Sequence, residues 1–155
     1  MIKKGSWRIR IFNVVLEILI TLLVILWFYT SISKLYEYNK FRTQLGQSPF
    51  IESIAGFVSY SLPISELLLG ILLVFQRTRK IGLYGSFFLM LLFTGYIYIM
   101  LYYAYDLPCS CGGVLAKMNW DTHLYFNLIY TVIALVGILM WEHRYRPNLH
   151  QRYTI

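Results

Sequence analysis

Four stretches of almost unbroken apolar residues dominate the chain, with polar and charged residues gathered between them. They cover residues 11–33, 54–75, 81–104 and 123–141. Each holds about the 20 residues that a helix needs to cross a hydrocarbon core of about 30 Å. The first stretch is long and no A-x-A-like cleavage site follows it, so it reads as a retained helix rather than a signal peptide. No internal repeat, low-complexity tract or linker interrupts the pattern. The expectation is one all-α membrane domain over residues 1–155, a four-helix up-down bundle.

Between the first two stretches, residues 34–53 change character. Leu35, Tyr38, Phe41 and Leu45 fall at helical spacing, and Gly46 and Pro49 follow. This predicts a short amphipathic helix lying at the membrane surface.

Composition agrees with the pattern. The 155 residues are 58% hydrophobic, 18% aromatic and only 14% charged, too few charges to clothe a soluble domain. The net charge is +7. Ten of the 14 Lys and Arg fall in three segments that an up-down bundle places on one side. These are Lys3, Lys4, Arg8 and Arg10; Arg77, Arg79 and Lys80; and Arg144, Arg146 and Arg152. Lys34, Lys40, Arg42 and Lys117 fall on the other. The positive-inside rule then predicts cytoplasmic amino and carboxy termini. Basic residues scattered over three membrane-flanking segments fit anionic headgroups and make no nucleic-acid surface.

The only two cysteines, Cys109 and Cys111, stand one residue apart in "DLPCSCGGVLAKMNW", between the third and fourth stretches. The predicted topology puts them outside, where disulfides persist. In a turn, cysteines at i and i+2 can approach within the Cα separation of roughly 4.4–6.8 Å that a disulfide tolerates, and Gly112 and Gly113 supply backbone freedom. So short a ring constrains little of the unfolded chain. The pair therefore suits thiol–disulfide exchange better than a structural staple. Zinc sites use wider spacings. Copper(I) accepts two thiolates, but only Met118, Asp121 and His123 lie near enough in sequence to assist, and no metal centre is expected.

Several motifs in order resemble the MauE branch of the DoxX-like four-helix membrane proteins. They are "SISKLYEYNKFRTQLGQSPF", "LPISELLLGILL", "CSCGG" and "HLYFN". The resemblance covers roughly residues 13–137. It implies a bacterial cytoplasmic (inner) membrane protein that handles thiols and disulfides on the periplasmic side. The implied partners are a periplasmic thioredoxin-like protein or a disulfide client in maturation, as MauE is linked to a disulfide-rich dehydrogenase subunit. Family members often read C-x-C-F-G, and here Gly112 replaces the Phe.

Polar residues inside the helices complete the candidates. Glu66 falls at bilayer depth, where a charge is costly unless it faces the bundle interior. It reads as a proton carrier or part of a quinone or substrate pocket, or else as a protonated packing residue bonded to a neighbouring Tyr, Ser or Thr. Gly56, Ser59, Pro63, Glu66 and Gly70 form a stripe at spacings of three and four, which suits close helix packing. Glu17 reads as a contact of Arg8 or Arg10 at the interface, with a carboxylate pair to Glu66 as the alternative. His123 and Asn127 share one face of the fourth helix, extended by Tyr130 or Thr131, and Asp121 is placed to cap it. A histidine near the thiols can favour thiolate, or it can simply bond a backbone carbonyl. Trp120 and the tyrosines of "YIYIMLYYAY" suit an aromatic belt.

Three functions compete. A thiol–disulfide oxidoreductase would cycle Cys109 and Cys111; membrane oxidases usually carry a second pair to reach quinone, so this chain would meet quinone directly or pass electrons to another protein. A scaffold or subunit of a larger membrane complex would use the cysteines only to shape a loop. A transporter using Glu17 and Glu66 is least favoured, because no repeat is visible.

Overall fold

The computed structural model describes residues 3–48, 51–103 and 119–145. Helix α1 spans Lys3–Tyr36, α2 Tyr38–Gly46, α3 Ala55–Val74, α4 Arg79–Tyr103 and α5 Trp120–Tyr145, with a 3-10 turn at Glu52–Ile54 before α3. There is no strand among the described residues. Four of these helices, all but α2, are long and apolar enough to cross a membrane. Cys109 and Cys111 lie outside the described residues.

The predicted spans are found, with longer ends. Helix α1 runs past residue 33 to Tyr36 and has 34 residues, a length of roughly 50 Å. It exceeds the hydrocarbon thickness and carries Lys34 on its last turn. At Glu37 the backbone leaves helical geometry (φ −102°, ψ 37°) and α2 begins. Helix α5 starts at Trp120 rather than at His123. The predicted cap, Asp121, lies inside its first turn. Asn119 occupies the cap instead: its Oδ1 accepts from the Trp120 amide at 3.1 Å, and its carbonyl accepts from the His123 amide at 3.0 Å.

The helices pack in the order α1, α3, α4, α5 around the bundle, and α5 returns to α1. Leu16, Ile20, Leu23, Trp27, Leu73, Leu83, Ala134, Ile138 and Trp141 fill the interior. Small residues set the closest approaches. A Cβ on Gly82 would meet the Leu73 backbone nitrogen at 3.0 Å, and one on Gly70 would meet the Phe28 ring at 3.1 Å. On α3 the buried stripe is Ala55, Ser59, Pro63, Glu66, Gly70 and Leu73. The expected Gly56 is exposed, and Ala55 takes its place. Pro63 has no amide hydrogen, so α3 loses one helical hydrogen bond there; the Ser31 hydroxyl of α1 donates to the Pro63 carbonyl at 2.8 Å.

Outward faces are apolar. Ile18 and Ile25 on α1, Phe57 and Leu68 on α3, Phe88 on α4, and Ile129 and Leu139 on α5 are all exposed. A surface this continuous is solvated by hydrocarbon, where every backbone polar group must be satisfied within the helix.

The turn between α3 and α4 marks one end of the bundle. There Arg79 Nε donates to the Leu73 carbonyl at 3.1 Å, and the Thr78 hydroxyl donates to the Leu72 carbonyl at 2.8 Å. Arg79 also pairs with Glu17 at 2.7 Å, and Lys80 with Glu142 at 2.7 Å. The turn thus ties itself to α1 and α5. At the opposite end, α2 lies against α3. Phe41 and Leu45 are buried there with Ala55, and Ile51, Val58 and Leu62 pack on them. The segment expected on the membrane surface is therefore part of the bundle wall. Leu35, expected on its apolar face, belongs to α1 and is exposed.

Candidate functional site

A cavity of about 550 Å³ opens in the half of the bundle that carries α2. Apolar side chains form most of its wall, including Leu26, Val58, Leu62, Leu89, Met90 and Ile97. Trp27 closes it toward the core, held by a 2.8 Å hydrogen bond from its Nε1 to the Ser86 hydroxyl of α4. This bond spans the bundle diagonally, because α1 and α4 are not neighbours in the packing order.

Into this apolar wall the fold brings an ion pair. Glu66 of α3 has no solvent-exposed surface, and its Oε1 accepts from Lys34 Nζ of α1. The Lys34 side chain is 11% exposed. Its ammonium lies 5.5 Å from the Phe93 ring centroid and 5.8 Å from that of Phe41, so two aromatic faces supplement the carboxylate. Thr30 stands beside the carboxylate, with its hydroxyl donating to the Trp27 carbonyl at 3.3 Å. The second oxygen, Oε2, is buried and has no hydrogen-bond partner among the described residues.

His123, Asn127 and Trp120 of α5 complete the polar rim. As the sequence predicts, His123 and Asn127 share a face, and the Asn127 side-chain amide donates to the His123 carbonyl at 3.1 Å. Thr131 extends the face: its hydroxyl donates to the Asn127 carbonyl at 2.7 Å and lies 3.2 Å from the Thr94 hydroxyl. The His123 Nδ1 is buried without a hydrogen-bond partner among the described residues. Its ring feels the Lys34 charge across the cavity. The backbone-carbonyl bond considered for this histidine is thus absent at Nδ1.

Glu17 takes no part in the site. It pairs with Arg79, not with Arg8 or Arg10, and is half exposed. Glu66 lies on α3 between Pro63, which meets Ser31, and Gly70, which meets Trp27 and Phe28. The two carboxylates are therefore separated by about twelve residues of α1, roughly 18 Å along the axis. This geometry excludes a carboxylate pair.

Two features of the cavity were not anticipated from sequence. By sequence Lys34 opens the surface segment after the first helix, yet it ends the buried face that runs through Leu23, Trp27 and Ser31 at spacings of four, four and three. That spacing was the available signal. Tyr96 suits an aromatic belt by sequence, yet it lines the cavity, and its hydroxyl lies 2.7 Å from the buried Ser48 hydroxyl beyond α2. Tyr98, Tyr102 and Tyr103 remain exposed as a belt requires, with the first two rings 4.7 Å apart.

No curated protein and no solved structure matches the chain. The family model described as methylamine utilisation protein MauE matches residues 12–140, most of the chain and all but the outermost turns of the bundle. The chain is therefore a multi-pass membrane protein that belongs to the MauE family.

Proposed function

We propose that this protein carries out thiol–disulfide exchange at the periplasmic face of the bacterial inner membrane, with Cys109 and Cys111 as the exchanging pair. The client is a disulfide-containing envelope protein or the thioredoxin-like protein that serves it. One observation carries the reading. The segment 104–118, which holds both cysteines, leaves the end of α4 and enters α5 beside Trp120 and His123. The described residues that flank it on α5, Trp120 and His123, line the cavity. The basic residues at the opposite end support the orientation, because positively charged flanks stay in the cytoplasm. An extracytoplasmic pair closing a short ring exchanges readily.

The redox state of the pair in intact cells tests the proposal. Thiols are trapped with an alkylating mass tag before and after a pulse of reductant. The expected result is rapid re-oxidation, with Cys109→Ser or Cys111→Ser capturing a periplasmic protein as a mixed disulfide. A pair that never changes state, in a protein whose Ser variants still support their host function, overturns the proposal. It would leave the chain as a non-catalytic subunit of a larger membrane complex.

A further inference from the structure

We infer that the cavity in the α2 half of the bundle is a binding site for a membrane quinone, which accepts the electrons of the Cys109–Cys111 dithiol. The inference rests on the exchange role proposed above and names the oxidant that role needs.

The rim says how a ligand arrives. Tyr29, Ile54 and Leu92 line the cavity and are also 41%, 52% and 52% exposed on the outward surface. Outward here means hydrocarbon, so the cavity opens sideways into the bilayer. Near their turn α3 and α4 touch at Gly82, where even a methyl group lacks room, so the cavity lies in the other half of the bundle. A ligand entering by this route must be soluble in lipid, which excludes free sugars, nucleotides and ionic metabolites.

The wall says what the ligand carries. Lys34 and Glu66 sum to zero charge, so nothing in the site retains a net-charged headgroup. Yet the site is not purely apolar. An ammonium with spare donors borders it, and a carboxylate oxygen and an imidazole nitrogen, both without a partner among the described residues, are buried in its wall. Buried polar groups are nearly always hydrogen-bonded, and each exception calls for an explanation. A flat, neutral head bearing carbonyl acceptors, on an apolar body, meets these conditions. The cavity volume of about 550 Å³ falls within the roughly 300–1,000 Å³ usual for sites of small organic ligands.

The chemistry closes with one cysteine pair. Two S–H bonds break and one S–S bond forms. Two electrons and two protons pass to the quinone, whose two carbonyls become hydroxyls. Lys34 is the donor placed to bond a head carbonyl, and His123 lines the same cavity from the first turn of α5.

The full chain in lipid nanodiscs tests the site, with decylubiquinone and a short-tailed naphthoquinone as probes. Quinones quench indole fluorescence, and Trp27 and Trp120 line the cavity. Saturable quenching by at least one probe is expected, and it persists in the Cys109→Ser/Cys111→Ser variant. Leu62→Phe fills the cavity and weakens binding at least about tenfold. Ile54→Phe, at an exposed rim position that tolerates bulk, weakens it as well. Linear, non-saturable quenching, equal in all variants, would mean that the quinone is only dissolved in lipid and would overturn the site. So would a co-purifying phospholipid that neither probe displaces. If the thiols cycle in cells while neither quinone binds, the site fails and the exchange role stands. If quinone binds but the thiols never reduce it, the site stands and the exchange role fails.

Discussion

Replacing Lys34 by Met would leave the Glu66 carboxylate without its charged partner, in a wall of leucine and aromatic rings. Removing one member of a buried pair generally costs about 3–5 kcal/mol, whereas exchanging both for apolar residues is often neutral. Lys34→Met should therefore lower the midpoint of SDS or thermal unfolding in detergent sharply, and Lys34→Met/Glu66→Leu should recover most of the loss. Equal loss in the single and double variants would show that the pair does not stabilise the bundle. At this scale the sequence is half legible. Glu66 announces itself, because a carboxylate at bilayer depth is costly wherever it points. Lys34 does not, because a lysine directly after an apolar run looks like a headgroup contact. Its true position depends on α1 continuing one turn past residue 33, and nothing local in "SISKLYEYNK" marks that continuation. The side chain follows the same logic: its long stem crosses apolar surface while its charge finds a partner on another helix.

Helix contacts discriminate among the glycines. A Cβ at Gly82 would press on the Leu73 backbone, which cannot move without shifting α3. At Gly85 the clash is with Leu69 Cδ2 at 2.5 Å, the tip of a flexible side chain. At Gly95 nothing lies within 4 Å. Gly82→Ala should thus cost about 1–3 kcal/mol, as overpacking does. Gly85→Ala should cost less. Gly95→Ala should be neutral or stabilise by up to about 1 kcal/mol through helix propensity. The three unfolding midpoints give the order directly, and a Gly82 variant as stable as the Gly95 variant would contradict the packing. Elements themselves were the easiest part to read, since length and hydropathy define a membrane span without knowledge of its neighbours. Which face of each span points inward was not readable, because leucine and isoleucine surround every helix. Only interruptions show it, as with Ser59, Pro63 and Glu66 on α3. The amphipathic stretch after α1 was legible as a helix, and Phe41 and Leu45 as its apolar face. Its docking on Ala55, Val58 and Leu62 was not, because a membrane surface would cover the same face equally well.

For the molecule as a whole, orientation decides the chemistry open to the cysteines. The proposed topology puts Arg42 outside and Arg77 inside, and both are exposed. In a Cys109→Ser/Cys111→Ser background, Arg42→Cys should react with a membrane-impermeant maleimide in intact spheroplasts. Arg77→Cys should react only after permeabilisation. The reverse pattern would put the cysteine segment in the reducing cytoplasm, where a stable disulfide is not expected.

The Trp27–Ser86 bond has a meaning for the cell that lies beyond the cavity it floors. Between that indole and the Arg79–Glu17 pair, the interior is leucine, isoleucine, alanine and tryptophan. Among the described residues no chain of polar side chains crosses it to carry ions. A bundle plugged in this way is an insulator. Chemistry at one face is then electrically isolated from the other.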